Sequence, residues 1–168
     1  IQLGAEMRST GEVMGLAVSF GQAFIKAQLA AGHKIPREGG VLLSICDHDK
    51  PRLVNPARIL VAMGFKLYAT GGTRRHLVDN GLPCELVNKM AGPRPNLIDC
   101  ISDGKIQLAV NTISGQGSAR DGMVIRAENL KRGIPTYTTI SALEALVEGL
   151  QRWDLKNSVA ALQDFYTV

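Results

Sequence analysis

Four short polar segments hold the residues of this sequence that are best suited to binding an anion. Each follows an apolar, β-branched run. The segments are 47–50 (Asp-His-Asp-Lys), 70–74 (Thr-Gly-Gly-Thr-Arg), 88–95 (from Asn-Lys to Pro-Arg-Pro) and 111–115 (Asn-Thr-Ile-Ser-Gly). Because the carboxyl ends of parallel strands lie along one edge of a sheet, a parallel arrangement would bring these segments together.

The second segment has the composition of a phosphate-binding turn. Gly71 and Gly72 permit a tight turn whose backbone N–H groups approach an oxyanion, and the hydroxyls of Thr70 and Thr73 are donors to phosphate oxygens. A Gly-Gly turn before a helix is often only a turn. The phosphate interpretation is favoured because basic residues recur in the neighbouring segments, at Lys50, Lys89 and Arg94.

Two further residues have alternative interpretations. Asp121 either caps the helix that follows the fourth segment or contacts a ligand. His48 lies between two carboxylates, which suits a chemical role but is also common in surface loops.

The elements that would position these segments alternate along the chain. The pattern predicts strands at 41–46, 66–70, 85–88, 106–111 and 136–139, and helices at 51–63, 73–80, 96–102, 122–132 and 141–150. A further helix is expected at 19–32 and a short one at 157–165. This alternation is typical of an α/β fold, and we expect a three-layer, five-stranded parallel sheet with helices on both faces.

Composition narrows the class of protein. The chain has 168 residues, 45% of them hydrophobic, and its net charge of +4 favours anionic partners. Aromatic residues make up only 5%, and no long basic run occurs, so nucleic acid is not an expected partner. No apolar run reaches the roughly 18 residues of a membrane span. The three cysteines, Cys46, Cys84 and Cys100, lack metal-ligand spacing and suit a reducing, cytoplasmic environment.

The sequence also resembles a known family. Residues 7–15 (Met-Arg-Ser-Thr-Gly-Glu-Val-Met-Gly) and 26–30 (Lys-Ala-Gln-Leu-Ala) resemble the end of the second ATP-using half of the carbamoyl-phosphate synthase large chain. The four polar segments, with Asp103-Gly104, resemble the carboxy-terminal regulatory domain of that family, whose fold is methylglyoxal-synthase-like. The resemblance divides the chain into a synthetase-domain tail and linker (1–37), an allosteric domain (38–150) and a C-terminal tail (151–168). Because the first residue is Ile1, a fragment of a longer chain is expected.

The resemblance implies an effector site without catalytic residues. In the bacterial family, uridine monophosphate inhibits and inosine monophosphate activates through overlapping sites. The resemblance maps the effector contacts onto Lys50, Thr70, Thr73, Lys89 and Asn111. Together with the polar segments described above, the candidate effector and phosphate-binding residues are Lys50, Thr70, Gly71, Gly72, Thr73, Lys89, Arg94, Asn111, Thr112 and Ser114. This sequence departs from the family at Gln116 and Gly117, where two arginines often occur. In ornithine-responsive members the fifth strand helps to hold ornithine, and Thr136, Tyr137 and Thr138 occupy that stretch here.

The implied partners are the rest of the large chain and a glutaminase small chain. The parent enzyme would use ATP, Mg or Mn, and K, whereas this fragment is expected to need no cofactor. One rival function is catalysis by a methylglyoxal-synthase-type lyase on dihydroxyacetone phosphate. Two departures argue against it. Cys46 stands where those enzymes have a histidine. Arg94 falls near the position of their catalytic aspartate, and a guanidinium is a poor proton acceptor because it stays charged. A purely structural docking domain is the other rival.

Overall fold

The computed structural model describes residues 13–88, 92–94, 96–112, 116–153, 161 and 163, with backbone alone for 116–121. The sheet consists of β1 (Gly40–Ser44), β2 (Lys66–Ala69), β3 (Glu85–Leu86), β4 (Leu108–Asn111) and β5 (Thr136–Tyr137). The helices are α1 (Phe20–Ala30), α2 (Lys50–Ala62), α3 (Gly71–Asp79), α4 (Leu97–Ser102), α5 (Gln116–Lys131) and α6 (Ile140–Gln151), and a 3-10 turn covers Asp47–Asp49.

All five strands are parallel, in the order β3-β2-β1-β4-β5. From β1 the chain moves outward to β2 and β3, and from β4 it moves the other way to β5. The direction therefore reverses between β1 and β4, where Ser44 pairs with Asn111. Open α/β sheets bind their ligands at such a reversal, outside the carboxyl ends of the strands.

Two apolar cores, one on each face of the sheet, confirm the predicted three layers. The larger core joins the β1 side chains Val41 and Leu43 to residues from α1, α2, α3 and α6. The smaller core joins Leu42 and Ala109 to residues from α4 and α5. The alternation of Val41, Leu42 and Leu43 between the two cores is the two-residue period of a strand that is buried on both faces.

The helix α1 shares the larger core, although the resemblance assigns its residues to the preceding domain. Its Ile25 is fully buried. Its Gly21 lies against α6, where a Cβ atom would be 2.5 Å from the backbone nitrogen of Gly149. Helix α1 is thus packed as part of the α/β body.

Two helices begin more than one residue before their predicted start. Helix α3 begins at Gly71 rather than at residue 73, because glycine is tolerated in a first turn where backbone N–H groups have no partner within the helix. Helix α5 begins at Gln116 rather than at residue 122. Asp121 therefore lies within α5 and is not its cap, and its side chain is outside the described residues. The short helix expected at 157–165 also falls largely outside them.

Glycine follows the ends of two helices in a left-handed conformation. Gly64 follows α2 with φ 92°, and Gly133 follows α5 with φ 66°. These are left-handed conformations that cost glycine little.

Candidate functional site

Lys50 lies where the end of β1 passes into α2. Its ammonium donates to the Asp47 carboxylate, with Nζ 2.5 Å from Oδ1. The lysine side chain is only 17% exposed, whereas that of Asp47 is 95% exposed. The hydrogen bond and the charge of Lys50 hold the pKa of Asp47 below its usual 3.8. The ammonium is therefore fixed in place beside a carboxylate that extends into solvent.

The turn between β2 and α3 reaches the same ammonium. Thr70 precedes the helix in an extended conformation, and its side chain makes no capping bond. The first hydrogen bond within α3 runs from the Arg74 N–H to the Thr70 carbonyl. A Cβ atom on Gly72 would lie 3.1 Å from Lys50 Nζ, and one on Gly71 would meet no atom within 4 Å.

These groups form what we call the anion cup, which consists of Lys50, Gly71, Gly72 and Thr73. A helix N-terminus carries partial positive charge and N–H groups that precede the helical hydrogen-bond ladder. The ammonium adds a full charge at the same point, and the glycines leave room above the first turn. The cup is suited to a phosphate or another compact anion.

Thr73 has a different role from the one its hydroxyl suggests. Its side chain is buried, with Oγ1 accepting from the Ile45 N–H at 3.1 Å and donating to the Ile45 carbonyl at 3.3 Å. The hydroxyl proton is thus used within the protein. Thr73 positions the cup against the end of β1, and its backbone N–H belongs to the first turn of α3.

The end of β4 is joined to the end of β1 by side chains. Thr112 is buried and its Oγ1 accepts from the Cys46 N–H at 3.0 Å. Asn111 is only 4% exposed, and its Nδ2 has no hydrogen-bond partner among the described residues. A buried amide donor without a partner is costly, so a ligand acceptor that reached it would be stabilised.

Asp49 organises the 3-10 turn, and sequence reasoning did not single it out. Its carboxylate accepts from the Cys46 thiol at 3.2 Å and lies 3.1 Å from His48 Nδ1. The hydrogen bonds from His48, Cys46 and Thr112 hold its pKa below 3.8. The signal that could have found it is the i, i+3 spacing of Cys46 and Asp49 at the end of a strand. His48 acts here as a surface partner of Asp49.

The third polar segment is only partly described. An Asn88–Asn96 bridge closes the segment, and Asn88 Nδ2 donates to the Pro93 carbonyl at 3.0 Å. Arg94 is 83% exposed, with its Nε 3.8 Å from Asp99 Oδ1. The structure therefore pairs Arg94 with α4 rather than with the anion cup. Lys89 and Ser114, like the departures at Gln116 and Gly117, have side chains outside the described residues.

The residues predicted for ornithine or for an interface are placed in three different environments. Thr136 Oγ1 accepts from Asn129 Nδ2 at 3.0 Å and donates to the Ile134 carbonyl. Tyr137 is 6% exposed, and its ring lies 5.9 Å from that of Phe24. Thr138 is exposed. Tyr137 thus joins β5 to α1, and of the three residues only Thr138 is exposed.

The described part of the chain contains neither a metal-binding cluster nor a helix that could cross a membrane. No group of three or more His, Cys, Asp or Glu side chains there could hold a metal ion. The three cysteines are free. None of the described helices combines the length and apolar character that a bilayer crossing requires.

The family follows from the fold, the site and a match of residues 52–138 to the model of the MGS-like domain. The chain belongs to the MGS-like domain family. A solved methylglyoxal synthase from Elizabethkingia anophelis shares the fold, with a TM-score of 0.54 and 16% identity over 67% of this chain and 79% of that one.

The similar curated proteins are carbamoyl phosphate synthase large chains or sections of them. The C-terminal section of that chain from Methanopyrus kandleri is 47% identical over 150 residues, which are 89% of this chain and 28% of the relative. The large chain from Haemophilus ducreyi is 44% identical over 98% of this chain and 15% of its own length. This chain is homologous to a part of each relative and spans under a third of its length.

Proposed function

We propose that this chain is the regulatory module at the end of a carbamoyl phosphate synthase large chain and binds a nucleoside monophosphate in the anion cup. Uridine monophosphate would inhibit, and inosine monophosphate would activate, ATP-dependent carbamoyl phosphate synthesis for pyrimidine and arginine biosynthesis. The proposal combines the homology with the chemistry of the cup. Phosphate is the part of either nucleotide that the cup is suited to hold.

The observation that carries the proposal is the position of the Lys50 ammonium beside the first turn of α3, 3.1 Å from where a Cβ atom of Gly72 would be. A phosphate at this point would accept both from the ammonium and from backbone N–H groups. Such charge-assisted hydrogen bonds are worth about 1.5–3 kcal/mol each. Thr70, Asn111 and Thr112 end the neighbouring strands and would complete the site.

Calorimetric titration tests this proposal directly. The chain would be titrated with uridine monophosphate, inosine monophosphate, ornithine and acetylglutamate, together with its Lys50→Ala variant. We expect Lys50→Ala to weaken nucleotide binding about tenfold or more, because one charge-assisted bond is lost. Lys66→Ala is the matched control, since Lys66 is exposed at the opposite edge of the sheet. Unchanged binding in a folded Lys50→Ala variant would refute the site.

A lyase acting on dihydroxyacetone phosphate is the second candidate, favoured by the fold of methylglyoxal synthase and by the carboxylates beside the cup. Proton abstraction needs a base whose pKa lies near the working pH. Asp47 and Asp49 both have pKa values below 3.8, and Arg94 faces Asp99 instead of the cup. We therefore expect no turnover of dihydroxyacetone phosphate. Turnover that Asp47→Asn abolished would establish the lyase instead.

The remaining partners follow from the proposed parent enzyme. An exposed apolar group lies before and at the start of α1, consisting of Val13, Met14, Val18 and Phe20. This group would contact the rest of the large chain, which in turn would pair with a glutaminase small chain in the cytoplasm. Ornithine sensitivity would depend on Thr138, the exposed residue at the end of β5. ATP, Mg or Mn, and K would bind elsewhere in the parent.

A further inference from the structure

Asp47 forms an ion pair with the ammonium of Lys50, the charged group to which the proposed ligand would bind. Its Oδ1 lies 2.5 Å from Lys50 Nζ, and the same ammonium is next to Gly72 at the first turn of α3. We propose that Asp47 is a built-in competitor that holds Lys50 when the anion cup is empty and leaves it when an anionic ligand binds. This inference rests on the proposed nucleotide site and adds a residue that sets its affinity.

Asp47 is able to leave without dismantling the turn that carries it. Its side chain is 95% exposed, whereas that of Lys50 is 17% exposed. The turn itself is held by Asp49, whose carboxylate accepts from the Cys46 thiol and contacts His48. The two carboxylates therefore have different roles. Asp49 fixes the shape of the turn, and Asp47 pairs with the lysine from the solvent side.

Charge explains why the exchange would favour a phosphate monoester. Such a group carries about −1.5 to −2 charge at pH 7, compared with −1 for a carboxylate. A bound phosphate would also accept hydrogen bonds from the backbone N–H groups at the start of α3. The contact between Asp47 and Lys50 involves none of these N–H groups. The ligand therefore interacts with the cup more favourably than Asp47 does. Its observed affinity is nevertheless lowered, because the ion pair between Asp47 and Lys50 must break when it binds.

A double-mutant cycle measures this competition. NMR chemical-shift titration with uridine monophosphate, which follows weak as well as tight binding, would be applied to the chain and to its Asp47→Asn, Lys50→Met and doubly substituted variants. We expect Asp47→Asn to lower the Kd by up to about fivefold, the upper end of the range that measured exposed ion pairs span. In the Lys50→Met background the same substitution should change the Kd much less, because the ammonium for which Asp47 competes is absent.

The control is Asp103→Asn, which removes the same charge from a pair with Lys105 (3.3 Å) beyond the end of α4 and should leave the Kd unchanged. Equal strengthening in both Lys50 backgrounds would show a general charge effect and overturn the proposal. So would unchanged or weaker binding in Asp47→Asn. If the unsubstituted chain bound no nucleotide, the proposed function itself would fail.

A crystal structure of the unsubstituted chain with uridine monophosphate gives an independent answer. The proposal predicts that the Asp47 carboxylate lies more than about 4 Å from Lys50 Nζ, beyond ion-pair distance, when the phosphate is bound. A phosphate in the cup with the Asp47–Lys50 contact intact would overturn the competition and leave the proposed site standing.

Discussion

Thr73 joins the first turn of α3 to the end of β1 through both atoms of its hydroxyl group. The oxygen accepts from the Ile45 N–H and the proton is donated to the Ile45 carbonyl, in a buried setting. Any variant that moved this side chain would move the anion cup. At the residue scale, the cup is therefore supported by a group that does not itself need to touch the ligand.

The first prediction concerns that support. Replacing Thr73 by valine keeps the shape of the side chain but leaves the Ile45 N–H and carbonyl without their partner. We expect a loss of about 1–3 kcal/mol in the free energy of unfolding, which is the cost of burying an unsatisfied polar group. Urea denaturation monitored by circular dichroism measures it. The control Thr73→Ser retains the hydroxyl and should lose less, and equal losses would show that the hydroxyl is unimportant.

A second prediction concerns Tyr137, whose hydroxyl is buried without a hydrogen-bond partner among the described residues. Burial raises its pKa to about 12. The unfolded chain releases this proton near pH 10 and the folded chain near 12, so stability falls as the pH rises between those values. Tyr137→Phe should remove this part of the decline and raise stability at neutral pH by about 1 kcal/mol. Denaturation curves from pH 7 to 12 would show it.

Cys84 adds a similar decline at lower pH, because burial raises its pKa from 9.0 to about 11. Tyr137→Phe should therefore leave the decline between pH 9 and 10 in place. A decline that was identical in both proteins up to pH 12 would contradict the environment assigned to Tyr137.

At the scale of elements, the crossing of α1 and α6 determines how the N-terminal helix joins the sheet. The two helices meet at Gly21 and Gly149, and a Cβ on Gly149 would lie 2.6 Å from Ile25 Cδ1. Phe24 of α1 also reaches Tyr137 of β5. Movement of α1 would therefore disturb Tyr137 in β5, the edge strand of the sheet, which lies away from the anion cup.

The third prediction tests this close crossing. Alanine is favoured over glycine within a helix by about 1 kcal/mol. Gly149→Ala should nevertheless destabilise the protein by about 1–3 kcal/mol, because the added methyl group overpacks the contact with α1. Gly71→Ala serves as the control, since its added Cβ meets no atom within 4 Å. If Gly149→Ala were as stable as Gly71→Ala, the helices would not pack as described.

Helices and strands could be predicted from the sequence where the spacing of apolar residues agrees with the positions of glycine and proline. The buried strand β1 and the glycine-terminated helix α2 are examples, and the order of strands and helices follows from the same pattern. The start of α5 could not be predicted, because Gly117 in its first turn looks like part of a loop. The packing of α1 on α6 could not be predicted either, since it depends on two glycines that are 128 positions apart.

The candidate site was predictable in outline and not in its internal contacts. Parallel topology alone brings Lys50 to the Gly71-Gly72 turn, and that much follows from the spacing of polar segments after strands. The hydrogen bonds between the Thr73 hydroxyl and the Ile45 backbone depend on the distance between α3 and the end of β1, which the sequence does not reveal. The pairing of Arg94 with Asp99 depends likewise on how the third segment folds back to α4.

At the scale of the whole molecule, binding becomes regulation only through contact with a catalytic body. An effector changes a rate through its difference in affinity between two states, typically about 1–3 kcal/mol. The anion cup lies at the carboxyl edge of β1 and β2, whereas the exposed apolar group precedes and begins α1. The proposed coupling must therefore act through the α/β body that connects the anion cup to this apolar group, including α6 and β5.

The most direct measurement is the rate of carbamoyl phosphate synthesis by the proposed parent large chain, with and without nucleotide. Uridine monophosphate should lower the rate of the unsubstituted enzyme. At a nucleotide concentration near the Kd of the unsubstituted enzyme, this inhibition should be largely lost in Lys50→Ala and retained in Lys66→Ala. An unsubstituted enzyme whose rate did not respond to nucleotide, or a Lys50→Ala enzyme that responded fully, would contradict the assignment of the anion cup as the effector site.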